Sequence, residues 1–275
     1  MGSAPVKVGF IGAGKVGCSL ARYLREGGAE LVGFFSRTPV HAAQAAAFAG
    51  GVAFESSPNL IAAADVTFLT CTDTELPKIA ARLGEDCDPD ALRGKVVAHC
   101  SGALGSDVLA PLRDAGAAVA SCHPLYAVSS RFDCWQELGR AWFTLEGDDE
   151  AVDTLEALLG ACGNHVARIP AGEKVRYHAA AVMASNLVVG LYETAARELE
   201  TCGFSRQDAQ DALAPLFLGN AQHIAADGVA ASLTGPAARH DTATIDAHLS
   251  CLSGDSRQIY RLLTDVLYSI ADQDS

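Results

Sequence analysis

Along the first half of the chain, short apolar runs alternate with stretches whose apolar residues recur every three or four positions. "VKVGFIGAG" reads as a strand running into a glycine-rich turn, and "GCSLARYLREGG" as an amphipathic helix closed by glycine. "AELVGFFSR" and "GVAF" supply two more strands around the helical "HAAQAAAFAGG". "DVTFLTCTD", "GKVVAHCSGAL", "AAVASCHPLY" and "AWFTLEGD" follow, each apolar, partly β-branched and bounded by turn residues. Strands that alternate with helices call for right-handed crossovers, hence a mostly parallel, doubly wound α/β sheet covered on both faces.

From about residue 150 the pattern changes. "DEAVDTLEALLGACG" predicts a helix and "HVARIP" a short extended link; beyond it the periodicity predicts helices over 172–202, 205–226, 241–252 and 255–272. The expected organisation is an α/β domain over 1–170 and an all-α domain over 171–275, joined near Pro170-Ala171-Gly172.

Composition narrows the function classes. Hydrophobic residues at 49% and charged residues at 19% suit a packed globular core. A net charge of -13 with no basic patch argues against nucleic acid, whereas a small anionic ligand in a local pocket stays compatible with it. The nine cysteines are scattered, with no CxxC pair and no Cys/His cluster at zinc spacing, so buried thiols in a reducing cytoplasm are expected and no metal. Residues 1–5 are too short for a signal peptide, and no charge-free apolar run reaches the roughly 20 residues of a spanning helix, so no membrane association is expected.

"FIGAGKVG" places Gly12, Gly14 and Gly17 in GxGxxG spacing between a strand and a helix, the context of a Rossmann dinucleotide site. Gly12 permits the tight turn, Gly14 lets backbone approach a pyrophosphate, and Gly17 lets helix pack on strand. Ala13, Lys15 and Val16 complete the cradle, where free N–H groups of the helix N-terminus receive the anion. The second strand ends in Ser36, Arg37 and Thr38, where an NAD-binding domain usually carries an acid for the ribose hydroxyls. A hydroxyl plus a guanidinium suits a 2′-phosphate, which favours NADP(H) over NAD(H); the alternative is a solvated loop arginine. Thr70, Cys71 and Thr72 after the fourth strand should border the cofactor, with Asp73 capping the next helix, and Ser101 and Gly102 after the fifth should lie near the nicotinamide. His123, ending the sixth strand, is either a substrate ligand or a structural histidine.

In the helix expected from 172, Lys174, His178, Ala181 and Ser185 fall within roughly 40° of one another at about 100° per residue, with Asn186 at the border. A polar line among small alanines suits a ligand-lined cleft; the plainer alternative is a solvated helix start with a buried, hydrogen-bonded histidine. "LTGPAARHD" forms a second polar island. Thr234 and Arg239 are candidate substrate contacts, Arg239 for a carboxylate, and Asp241 either joins them or caps the next helix. A surface turn without function is the alternative there.

The motifs "GFIGAGKVG", "HCSGALGSDVL", "CHPL", "KVRYHAAAVMASN" and "LTGPAARHDTATIDAHL" together resemble a bacterial family with an N-terminal Rossmann-like domain and a C-terminal helical domain of unknown function. That family looks related to the 6-phosphogluconate-dehydrogenase-like reductases, which include ketopantoate reductase and pyrroline-5-carboxylate reductase. The resemblance implies a second domain of the 6-phosphogluconate dehydrogenase C-terminal type, NADP(H) in the first domain, a cleft between domains and a homodimer through the helices. It does not fix the substrate; the expected activity is reduction of a small keto acid or imine, with a carboxylate for Arg239 to hold. Ketopantoate reductases and hydroxyisobutyrate dehydrogenases place a catalytic lysine four residues before an asparagine on this helix. Here Val182 holds the position four before Asn186, and Lys174 is followed at that spacing by His178, so Lys174 or His178 is the expected proton donor. Asn186, Ser185 and Ser101 would orient the substrate. A sensor or scaffold that binds NADP(H) without turning it over is the alternative class.

Overall fold

The computed structural model describes residues 4–273, so Met1, Gly2 and Ser3, within the stretch read as too short for a signal peptide, lie outside the described residues. The chain separates into two compact units, one running to Val182 and the other from Met183. The junction expected at Pro170-Ala171-Gly172 lies inside the first unit.

The first unit holds one eight-stranded sheet: β1 (Lys7–Ile11), β2 (Glu30–Phe35), β3 (Val52–Ala53), β4 (Val66–Leu69), β5 (Val96–His99), β6 (Ala118–Pro124), β7 (Phe143–Gly147) and β8 (Val166–Arg168). Their order is β3-β2-β1-β4-β5-β6-β7-β8, and the reversal between β1 and β4 makes the switch point at whose carboxyl edge ligands bind. Helices α1 (Lys15–Glu26), α2 (Pro39–Ala49), α3 (Ser57–Ala63), α4 (Leu76–Asp86), α5 (Pro89–Leu92), α6 (Ala110–Asp114) and α7 (Asp149–Ala161) connect the strands, and α8 (Lys174–Met183) follows β8. All pairings are parallel except β6 with β7. The segment between those two carries only a 3-10 turn at Gln136–Arg140, so no helical crossover is available and β7 returns antiparallel. The link expected at "HVARIP" is in fact an edge strand, carried back parallel to β7 by the α7 crossover.

Alternate residues along the strands feed two cores. Val8, Phe10, Phe34, Phe68 and Phe143 pack on one face with α1, α2 and α7; Ile11, Leu69, Val97 and Val119 pack on the other with α3, α4 and α6. The Phe10 ring stacks on Phe34 at 5.6 Å and on Phe68 at 5.2 Å, which bridges β2, β1 and β4 at the switch point.

The helix expected over 172–202 is not continuous. A 3-10 turn at Ala171–Glu173 leads into α8, which ends at Met183, and α9 (Asn186–Thr201) starts after Ser185, whose φ of -129° and ψ of -85° leave the helical region. The second unit continues with α10 (Arg206–Ser232), α11 (Gly235–Ala238), α12 (Thr242–Cys251) and α13 (Gly254–Ala271). α10 runs past the expected end at 226 but kinks at Gly228, where φ is +84°. The stretch Ala171–Thr201 is long and apolar enough by composition to cross a membrane, yet the interruption at Ala184-Ser185 divides it into two helices. Among the described residues of this unit, the apolar side chains that are buried are Ala196, Ala209, Ala237 and Ile245.

The stacked phenylalanines give a direct test. Phe68→Ala should lower the unfolding free energy of the first unit by about 3–5 kcal/mol in urea titration, and a loss below about 1 kcal/mol would mean this stack does not anchor the sheet.

Candidate functional site

The glycine-rich turn sits at the carboxyl end of β1. Gly12 has φ of +117°, and a β-carbon there would stand 2.7 Å from the Thr70 carbonyl and hydroxyl oxygens, so only glycine fits. The Thr70 hydroxyl donates to the Gly12 carbonyl at 3.0 Å, tying the loop after β4 to this turn. A β-carbon at Gly17 would lie 2.5 Å from Thr70 Oγ1, which sets the close approach of α1 to the sheet. Gly14, the N-cap of α1, is exposed; a β-carbon there would meet nothing within 4 Å, and no side chain caps the helix. The first N–H groups of α1 therefore stand open to an anion, with Lys15 exposed beside them and Ala13 and Val16 packed behind.

Beside this turn is a cavity of about 430 Å³ whose walls include Gly12, Ser36, Arg37, Thr70, Cys71 and Thr72, with Glu75 and Lys78 from the start of α4. Arg37 pairs with Glu75 at 2.9 Å, and Lys78 pairs with the same carboxylate at 2.9 Å. Those two cations hold the Glu75 carboxyl below its ordinary pKa, the Lys78 hydrogen bond contributing most. Thr38 is the N-cap residue of α2 and donates its N–H to Ser36 Oγ at 3.4 Å. Glu75, not Asp73, stands at the N-cap of α4. Burial pushes the Cys71 thiol up to about 11, so it is a neutral wall group. These features fit a dinucleotide: open amides at a helix N-terminus, and a hydroxyl and a guanidinium at the end of β2.

The second cluster lies after β5. Ser101 and Gly102 are buried there, and α8 lies over them. Lys174 is 2% exposed; its ammonium donates to the Ser101 carbonyl at 3.0 Å and to Ser121 Oγ at 2.7 Å, and Ser121 in turn donates to the same carbonyl at 3.3 Å. Burial lowers the Lys174 pKa, and the Glu146 carboxylate opposes that shift. Lys174 is thus seated among protein acceptors, which is not the open, substrate-facing position expected of it. The Ser101 hydroxyl is also engaged, accepting from the N–H groups of Ala103 and Leu104 at 3.2 and 3.0 Å.

His99 and Glu146 were not legible as site residues in the sequence. His99 is fully buried; its Nδ1 accepts from Ser101 N–H at 3.1 Å, which requires the proton on Nε2, where it donates to the Gly105 carbonyl at 3.0 Å. Burial lowers its pKa in agreement with a neutral ring. Glu146, 6% exposed on β7, accepts from both the N–H and the hydroxyl of Ser106 at 2.7 Å. Both groups fix the loop 99–106. Motif spacing could not have found Glu146, because its partner is forty positions away.

Gly102 is where the cluster converges. A β-carbon there would lie 2.5 Å from His178 Nδ1 and 2.9 Å from His123 Nε2, so two imidazoles close over this glycine. Their rings meet edge to face at 6.1 Å. His123 Nδ1 is hydrogen-bonded to the Tyr177 hydroxyl at 2.7 Å, and burial pushes the His123 pKa down to about 4. His178 Nδ1 is buried and has no hydrogen-bond partner among the described residues. Tyr177 was not anticipated, though its place on α8 between Lys174 and His178 makes it a neighbour of both.

The other expected residues belong to the second unit. Asn186 opens α9, exposed, and accepts from Ser185 Oγ at 3.2 Å. Ser185 does not continue the stripe of Lys174 and His178, because α8 ends before it. Thr234 is the N-cap of α11, and Arg239 is its exposed C-cap. Asp241 takes the capping alternative: it accepts from Thr244 N–H at 3.1 Å and Thr244 Oγ1 at 2.7 Å, bonds that lower its pKa. Among the described residues no group of three or more His, Cys, Asp or Glu could hold a metal ion.

Residues 1–124 match the family described as a Rossmann-like domain, and residues 141–266 match a domain of unknown function, DUF2520. The two matches together take in most of the chain. A solved structure from Thermotoga maritima, protein TM1727, is 25% identical, with 97% of this chain and 99% of that one covered and a TM-score of 0.75. An imine reductase from Pseudomonas sp. is 18% identical over 98% of this chain and 93% of its own, with a TM-score of 0.61. A reductive aminase from Aspergillus terreus, in complex with NADPH and ethyl-5-oxohexanoate, is 14% identical over 98% of this chain and 100% of its own, at a TM-score of 0.67. No curated protein matches the chain. The likenesses below 25% identity establish the shared fold.

Two outcomes follow from the geometry. Gly102→Ala should cost about 1–3 kcal/mol of stability, and most of that cost should vanish in a His178→Ala background; an equal cost in both would show that the ring is not the obstacle. His99 and His123 bind a proton less readily folded than unfolded, so the unfolded chain takes up more protons below the ordinary histidine pKa of 6.5, down to about 4 for His123. The melting temperature should therefore fall on acidification through that window, less steeply in His123→Gln; equal slopes would remove His123 as a source.

Proposed function

We propose that this chain is an NADP(H)-dependent oxidoreductase that reduces a small keto acid or imine, with ketopantoate-reductase-like substrates the first class to test. The observation that carries this reading is the placement of two features on one carboxyl sheet edge. The open helix N-terminus and Arg37 pocket stand at β1, β2 and β4, and Gly102 with its two imidazoles stands after β5 and β6. The solved imine reductase and the NADPH-bound reductive aminase, which share the fold, support the cofactor and the reaction class.

Bound NADPH supplies the hydride, and the protein must orient the acceptor and provide a proton. In this proposal the α1 amides and Ser36, Arg37 and Thr38 hold the two phosphate ends, and the nicotinamide lies beside the loop of Ser101 and Gly102. His178, with its Nδ1 unpaired, is the proton donor to the developing alkoxide or amine. His123, held by Tyr177, lines the substrate side. Lys174 positions rather than donates: it fixes the Ser101 carbonyl and carries α8, and the cationic field it adds favours negative charge nearby. Asn186 and Arg239, both exposed, remain the proposed groups for orienting substrate and for holding its carboxylate.

A homodimer through the helical unit belongs to the same proposal. Leu216, Phe217, Leu218, Leu262, Leu263 and Val266 are exposed on helices that bury little apolar surface of their own. The nine free thiols suit a reducing cytoplasm.

NADPH should raise the melting temperature more than NADH does. In an absorbance assay over a panel of keto acids and imines, His178→Ala should lower kcat by about 10²–10⁴-fold while NADPH affinity stays unchanged. Full turnover in that variant would remove the assignment, and NADPH binding without turnover of any panel member would favour a sensor.

A further inference from the structure

In the pocket beside the glycine-rich turn, the groups suited to a 2′-phosphate are already spoken for. Glu75 lies at the N-cap of α4, yet its side chain makes no capping bond. Its two oxygens divide instead between two cations: Oε2 accepts from Arg37 and Oε1 from Lys78, each at 2.9 Å. Arg37 comes from the end of β2 and Lys78 from the first turn of α4, so one carboxylate ties the end of β2 to α4 at the wall of the cavity. Arg37 and Lys78 are 74% and 72% exposed at the side chain, while Glu75 is 24% exposed, so the anion is the more enclosed member of the trio. A phosphate entering this pocket competes with a resident carboxylate for the same donors. An unphosphorylated ribose does not.

We infer that Glu75 sets the cofactor preference of this pocket, acting as an internal counter-anion on Arg37 and Lys78, and that Lys78 is a second ligand of the 2′-phosphate. The inference rests on the NADP(H) reading. Phosphate binding here is an exchange: the dianion gains Arg37 and Lys78 while Glu75 loses both, and Glu75 then stands as a like charge near the phosphate. Exposed ion pairs are individually weak, so the exchange is feasible and its net effect is a tuning of affinity.

Isothermal titration of the wild type, Glu75→Gln and Lys78→Ala with adenosine 2′,5′-bisphosphate and with 5′-AMP decides the matter. Since Glu75 caps nothing, Glu75→Gln should fold with a melting temperature near that of the wild type. It should bind adenosine 2′,5′-bisphosphate about three- to tenfold more tightly, with 5′-AMP changed by less than about twofold. Lys78→Ala should weaken the bisphosphate alone. An unchanged preference in Glu75→Gln, or a weaker grip on the bisphosphate, would overturn the role of Glu75 and make it an organiser of Arg37. If the wild type bound neither nucleotide, the NADP(H) reading itself would fall, and this inference with it.

Discussion

A single buried ammonium holds the candidate site together. Lys174 reaches back from the first turn of α8 to the Ser101 carbonyl after β5 and to the Ser121 hydroxyl on β6. Burying an ammonium costs several kcal/mol unless its donors are satisfied, so this side chain tolerates little displacement. Because α8 is fixed there, Tyr177 and His178, three and four residues on, are carried over the loop that contains Gly102. Tyr177 meets His123, and the His123 and His178 rings together close over Gly102.

The polar groups beneath are arranged so that the loop has little freedom. His99 spans it from Ser101 N–H to the Gly105 carbonyl, and Glu146 receives both donors of Ser106. A buried polar atom left without a partner costs about 1–3 kcal/mol, and in this cluster His178 Nδ1 is such an atom. An unspent donor or acceptor beside the position expected for the nicotinamide is what a proton-transfer site requires, whereas the Lys174 ammonium donates to acceptors inside the protein. The dinucleotide end follows the same logic: the open amides of α1 are unspent, and the Arg37 guanidinium is spent on Glu75.

The sheet and the glycine-rich turn were legible because they depend on local pattern. Apolar runs of strand length, the GxGxxG spacing and the Ser36–Thr38 end of β2 stand at the places the sequence assigned to them. Strand direction was not legible, since periodicity carries no sign; only the missing crossover helix before β7 could have hinted at its reversal. The break at Ala184-Ser185 left no mark, because neither glycine nor proline interrupts the helical pattern there. Helical spacing correctly put Lys174 and His178 on one stripe and failed for Ser185 because the helix had already ended. What local pattern could not give was the environment of Lys174. Its partners at Ser101 and Ser121 come from other parts of the sheet, so a charge that reads as solvated or catalytic in sequence is buried among protein acceptors in the fold.

Histidine ring resonances test whether the two imidazoles over Gly102 face the reactive end of the cofactor. NADPH added to the protein should shift the ring signals of His123 and His178, while adenosine 2′,5′-bisphosphate, which lacks the nicotinamide, should leave both in place. NADPH that binds without moving either signal would mean that neither imidazole stands at the nicotinamide.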